Sequence, residues 1–289
     1  MGLGLFIQTC QGILRNPGVS PVPALMRHAL WHGVRRFLPL PAAIELTDRS
    51  RLFIEQRREM NGCVALVWSQ RRYDYHNMSF LGHLGASGLV RTCFDIGANI
   101  GIYSLLMSES PEVTVHAFEP HPATFATFQR MIEKNHRANV HAWQIALSDA
   151  GGMLSFTNED FSPVNKALAE GENAENAIQV PCETGAAFCE RNQLRPDLLK
   201  IDTEGLEPAV LRGFAAHLNS VKFIFAEMNA SMDEMRAVLP ESLFDGPFYV
   251  DMPARRLRRD RHTREDAVYV NHAAIEPLKL TGFTIDNLP

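Results

Sequence analysis

Cysteine is scarce and has no pairing pattern. There are five in 289 residues, an odd number without C-x-x-C spacing, and that excludes the disulfide framework of small secreted domains. Cys182 and Cys189 stand too far apart for such a site and Cys93 falls inside an apolar run, so the thiols read as reduced, in a cytoplasmic protein. Long apolar runs are missing as well: none approaches the roughly 20 residues of a membrane span. The first residues lack the charged start and small-residue cleavage site of a signal peptide. No internal repeat or low-complexity tract is present. Positive charge is not in excess; a net charge of −5 and a pI near 6.1 give no global attraction to nucleic acid or an anionic surface. Eleven histidines are available, yet no zinc-type His/Cys spacing falls near the cleft expected below.

With 46% hydrophobic and 21% charged residues, the chain suits one large α/β domain with appendages. Residues 1–60 read as an N-terminal extension, 61–275 as the main domain and 276–289 as a tail. Within the extension, a basic helical stretch carrying Trp31 and Phe37 either lies on a membrane surface or packs on the domain or a second subunit, with packing favoured. Short strands are expected at 43–46, 51–54 and 63–68. Then a regular alternation begins: strand 92–96, helix 102–108, strand 113–119, helix 122–135, strand 140–147. Such βαβ repetition predicts a parallel sheet. In the second helix Phe125, Phe128, Met131 and Ile132 form one apolar stripe, leaving His121 and Glu133 at the rim or in solvent. Residues 152–157 read as an antiparallel excursion and 158–176 as an acidic loop or lid. Core signals return at 178–181, in the helix 184–192, in strands 197–202 and 221–226, and in a final antiparallel pair at 248–251 and 267–271.

The richest segment is Cys93-Phe94-Asp95-Ile96-Gly97-Ala98-Asn99-Ile100-Gly101. An apolar strand ends on an acid, two glycines permit a tight turn and close backbone approach, and an amphipathic helix follows. A second apolar run ends in Glu119, twenty-two positions after Gly97, where a carboxylate accepts hydrogen bonds from both hydroxyls of a ribose. Dinucleotides call for G-x-G-x-x-G. Here the acid comes first and Asn99 holds the middle, an order better suited to S-adenosylmethionine, whose ammonium a carboxylate attracts. A nicotinamide oxidoreductase is the first rival and a cofactor-binding interaction protein without turnover the second.

Four motifs in order, DIGANIG at 95–101, FEP at 118–120, ALSD at 146–149 and KIDTEG at 200–205, resemble the FkbM family of S-adenosylmethionine-dependent methyltransferases. The resemblance implies a Rossmann-like class I methyltransferase fold with a mostly parallel seven-stranded sheet of order 3-2-1-4-5-7-6 and an N-terminal cap. It also implies O-methylation, with a sugar, glycan precursor or secondary-metabolite alcohol as acceptor. Thr203 stands where the family more often has valine.

Ligands of open α/β sheets sit beyond the carboxyl ends of the strands. Asp95, Gly97, Asn99 and Gly101 are therefore expected at the methionine end of the cofactor, Glu119 at the ribose, and the turn carrying Ala146 and Ser148 near adenine. Asn99 either contacts cofactor or occupies a left-handed turn position. Methylating an alcohol requires its proton to leave, which calls for a base or a metal-lowered pKa. Asp202 is the leading candidate for acceptor contact or base, with Lys200, Glu204 and Glu227 beside it. These carboxylates alternatively bind a divalent cation such as magnesium. For Lys200 and Glu204 a purely structural role is equally open: pairing with an acid, and starting a helix. Six arginines at positions 255, 256, 258, 259, 261 and 264 form a solvated surface or bind an anionic acceptor through guanidinium–phosphate pairing. Nucleic acid is not expected there, because no stacking aromatics are interleaved.

Overall fold

A computed structural model describes residues 10, 13–14, 16, 19–34, 42–56, 59, 62–70, 73–158, 165–168, 176–228, 231–260 and 266–286. Phe37, most of the acidic loop at 158–176, and Arg261 and Arg264 lie outside them. Ahead of the alternating core lie α1 (Pro21–Val34), a two-stranded hairpin of β1 (Ala43–Glu45) and β2 (Arg51–Phe53), α2 (Gly62–Gln70) and α3 (Tyr75–Ala86). The expected strand at 63–68 is a helix instead. A short apolar run fits either state, and here Val64, Ala65 and Val67 are buried while Trp68 packs on Trp31 with ring centroids 6.0 Å apart. Trp31 is thereby only 2% exposed, so it faces the interior and not a membrane. Among the described residues no helix is long and apolar enough to cross one.

The alternating core runs β3 (Thr92–Ile96), α4 (Ile102–Met107), β4 (Thr114–Phe118), α5 (Pro122–Lys134), β5 (Val140–Trp143), β6 (Ala146–Ser148), β7 (Gly152–Phe156), β8 (Ile178–Thr184), α6 (Gly185–Asn192), β9 (Leu198–Ile201), α7 (Glu207–Gly213) and β10 (Phe223–Ala226). It closes with α8 (Met232–Val238), β11 (Phe244–Asp251), β12 (Arg256–Arg258), β13 (Ala267–Asn271), α9 (His272–Leu280) and β14 (Thr284–Ile285). The main sheet has the order β14-β12-β11-β13-β10-β9-β3-β4-β5. Its seven strands from β11 to β5 follow the expected order, and β12 and β14 extend it to nine. The strands from β5 to β10 are parallel, while β13 and β11 are antiparallel to their neighbours.

Both faces of the parallel part are covered, so its strands are apolar on both sides. Cys93, Val115, Leu198, Phe223 and Phe225 face one layer; Phe94, Phe118, Leu199, Ile201 and Ile224 face the other. The strand expected over 140–147 is broken at Gln144. Trp143 ends the edge strand, its carbonyl accepting from Glu119 N at 3.1 Å, and Ala146–Ser148 turns away to pair with β8 in a separate three-stranded sheet with β7. His121 is not at the rim: it is 1% exposed. It sits four residues before Phe125 and seven before Phe128, so helical periodicity puts it on the buried stripe.

Candidate functional site at the carboxyl ends of the strands

The loop after β3 is held in place by the end of β4. Gly97 N and Ala98 N both donate to the Phe118 carbonyl at 3.0 Å, and Gly97, Asn99 and Gly101 take positive φ of 77°, 53° and 89°. Asn99 thus occupies a left-handed turn position, and its side-chain oxygen accepts from Ile100 N at 2.8 Å. Gly97 is required sterically as well, because a Cβ there would come within 1.8 Å of the Asp202 carbonyl oxygen. At Gly101 a Cβ would meet the Phe128 ring at 2.2 Å.

Glu119 joins the loop to α5. One carboxylate oxygen accepts from Asn99 N and the other from His121 N, both at 2.9 Å. Burial pushes its pKa up to about 7 against these backbone donors. His121, expected at the rim or in solvent, thereby supports Glu119 through its backbone. Its ring Nε2 lies 3.0 Å from Asn158 Oδ1.

Asp95 is 1% exposed beneath the loop. Ser104 Oγ donates to its Oδ2 at 2.6 Å, and Lys200 Nζ lies 3.2 Å from its Oδ1. The Lys200 ammonium also donates to the Gly97 carbonyl at 3.1 Å and to Asp202 Oδ2 at 3.2 Å, and sits 5.1 Å from the centre of the Tyr103 ring. Burial works against that ammonium, but Asp202 and Asp95 outweigh it and raise its pKa above the ordinary lysine value. A buried charge paired twice and hydrogen-bonded to a carbonyl meets the condition for retaining such a group inside.

The parallel register Ile201↔Ala226 sets Asp202 beside Glu227 at the ends of β9 and β10. Burial, then the Asp202 carboxylate hydrogen-bonded to it, holds the Glu227 carboxyl well above the usual range, with Glu204 adding to the effect. Carboxylate oxygens of Asp202, Glu204 and Glu227 all lie within 4.8 Å of one another. Glu204 has a left-handed φ of 55° and precedes α7 rather than starting it. The turn it occupies is shaped by Glu207, a fully buried acid that the sequence reading passed over. Its Oε1 accepts from Thr203 N, Thr203 Oγ1 and Gly205 N, each at 3.1 Å. A hydroxyl residue and an acid around a helix start were the available signal.

Lys200, Asp202, Glu204, Glu227, Asp95 and the glycine loop are thus one constellation, with Glu119 at its side. Ala146 and Ser148 stand apart. They are buried in β6 against α7, where Gly213 approaches so closely that a Cβ would lie 2.1 Å from the Ser148 carbonyl oxygen. Each described arginine of the cluster has a partner within the fold. Arg256 pairs with Asp286, Arg258 with Asp251 and Asp260, and Arg259 with Asp245, while Arg255 lies over Phe283 and donates to the Thr281 carbonyl. They line the outer edge of the sheet.

The Methyltransferase FkbM domain model matches residues 95–248, more than half of the chain. Hexuronic acid methyltransferase AglP of Haloferax volcanii is 32% identical over 143 residues, 48% of this chain and 56% of its own. The 31-O-demethyl-FK506 methyltransferase FkbM of Streptomyces tacrolimicus is 46% identical over 152 residues, 42% of this chain and 58% of its own. The chain spans little more than half the length of these relatives. A solved putative caffeoyl-CoA O-methyltransferase from Staphylococcus aureus aligns over 68% of this chain and 84% of that one, at 11% identity and a TM-score of 0.43. The loop at 95–101, the acid at 119 and the KIDTEG turn all lie within the matched span, and the chain belongs to the FkbM methyltransferase family.

Proposed function

We propose that this protein is an S-adenosylmethionine-dependent O-methyltransferase, working in a cytoplasmic setting on a hydroxyl of a sugar, glycan precursor or secondary metabolite. The observation that carries the reading is that the turn held by Glu119 and the acid pair Asp202 and Glu227 share the carboxyl edge of one sheet, joined through Lys200. The residues fit the cofactor. Each Glu119 oxygen has one backbone donor, and a carboxylate takes about four hydrogen bonds, which leaves room for two ribose hydroxyls. The bound cofactor supplies an electrophilic methyl group on a sulfonium.

The chain's own work is alignment and proton removal. The raised pKa of Glu227 keeps its proton in place at neutral pH, hydrogen-bonded to Asp202. Asp202 is then the member that accepts the acceptor's proton, and Lys200 holds its Oδ2 in position. Asp95, with Ser104 and Lys200 on its two oxygens, fixes Lys200 and the base of the loop. A second reading rests on the closeness of Asp202, Glu204 and Glu227: three carboxylates suit a divalent cation such as magnesium, which would displace the shared proton and acidify a bound hydroxyl.

Labelled S-adenosylmethionine incubated with fractionated small molecules and glycans tests the reading. Asp202→Asn is expected to lower turnover by about a hundredfold or more while S-adenosylhomocysteine still binds; unchanged turnover removes Asp202 from the chemistry. Activity lost to a chelator and restored by magnesium decides for the cation.

A further inference from the structure

Asp202 and Glu227 have a third companion. Asp266 directly precedes β13, and the antiparallel register Ala226↔Ala267 places it opposite Glu227. Strand alternation puts it on the same face: Val268 and Val270 share the layer of Phe225 and Phe223, two and four residues before Glu227. Its Oδ2 accepts from Asn77 Nδ2 at 3.1 Å, which anchors it to α3.

Facing this row is Tyr103, in the first turn of α4. Its ring packs against Tyr73 and Phe225 with centroids 6.1 Å and 6.0 Å away. Tyr103 is 6% exposed, and no described residue hydrogen-bonds its hydroxyl. Burial, then Asp74, Asp266, Tyr73 and Asp202, push its pKa far up, so it is an O–H donor throughout the working pH range. The phenol oxygen is not among the sealed-off polar atoms, so it stays open to a ligand without a protein acceptor of its own, and the carboxylates around it are acceptors only. A second hydroxyl on the substrate satisfies both kinds of group at once, accepting from the phenol and donating to a carboxylate.

We infer that Tyr103 and Asp266 read the acceptor, and that the acceptor is a vicinal diol: Tyr103 donates to the oxygen of the hydroxyl next to the one methylated, and Asp266 accepts its proton. This rests on the O-methyltransferase reading and adds to it two specificity-determining residues and a substrate class.

The probes are the methyl pyranosides of glucose, galactose and mannose and their monodeoxy counterparts, assayed with labelled S-adenosylmethionine; S-adenosylhomocysteine affinity is measured separately by calorimetry. The wild type is expected to methylate at least one parent sugar and to prefer it over the analogue lacking the neighbouring hydroxyl by about tenfold or more in kcat/KM. Tyr103→Phe should shrink that preference to about threefold or less, and Asp266→Asn should raise the acceptor KM about tenfold. S-adenosylhomocysteine affinity in both should stay within about twofold of wild type. The inference falls if no parent sugar is methylated, if the deoxy analogues serve equally well, or if Tyr103→Phe leaves the preference intact. Failure of the wild type to bind S-adenosylhomocysteine overturns the methyltransferase reading and this inference with it.

Discussion

As the proposed ribose acceptor, Glu119 has to act as an anion in a place that resists one. Its folded pKa stands near 7 against an ordinary 4.5, so between those values the folded state holds a proton that the unfolded chain has lost, and stability falls as pH rises through that window. Ribose hydroxyls donate to the ionised form. S-adenosylhomocysteine is therefore expected to bind more weakly below pH about 7 and to release a proton on binding near pH 6, visible as a buffer-dependent heat in calorimetry. Glu119→Gln should remove the proton release, and Glu119→Ala should cost about 1 to 3 kcal/mol of affinity. Glu227 has the same sign. Its pKa is raised by burial and by Asp202, so its contribution is also lost as pH rises, over a window reaching above neutrality. Thermal scans should show Glu227→Gln melting above wild type at roughly pH 8 and converging with it at roughly pH 5.

At the scale of elements, what matters is how tightly the β3–α4 turn is pressed against β9. Gly97 and Gly88 have nearly equal positive φ, 77° and 74°, but a Cβ on Gly88 would meet nothing within 4 Å, while one on Gly97 would strike the Asp202 carbonyl. Gly88→Ala reports backbone strain alone, about 1 kcal/mol. Gly97→Ala should lose about 3 kcal/mol or more in urea denaturation and abolish S-adenosylhomocysteine binding. Equal losses would mean that the close approach is unimportant.

Elements also decide what could be read in advance. Asp95, Glu119, Asp202 and Glu227 were legible because each ends an apolar run on a parallel strand. Asp266 was not, because β13 is antiparallel and brings its beginning, not its end, to the same edge; the rule that found the others looks past it. Cys63 to Trp68 was misread because a run of six apolar or small residues has no period of its own, and only the Trp31 contact settles it as a helix. The arginine cluster left a solvated surface and an anion site both open, because the partners of its described members, Asp245, Asp251 and Asp286, are neighbours through the sheet edge and unremarkable in sequence.

For the whole molecule, the extension is part of the core. Trp31 belongs to the same buried cluster as Phe225 and Val268, with Trp68 packed against it, so Trp31→Ala should destabilise the protein by about 3 to 5 kcal/mol in denaturant titration. It should leave S-adenosylhomocysteine affinity nearly unchanged once folded, since the tryptophan pair is not part of the constellation at the carboxyl ends of the strands. The sheet likewise unites what chemistry would treat as two compartments. Lys200 places one ammonium between the Gly97 carbonyl and the Asp202 carboxylate. A charge shared in this way makes the two compartments answer to each other: if filling the cofactor side shifts that ammonium, the Asp202 carboxylate it holds moves with it. An acceptor bound against Asp202 must then alter cofactor affinity by the same free energy. Wiring of this kind lets each side of the cleft report whether the other is filled.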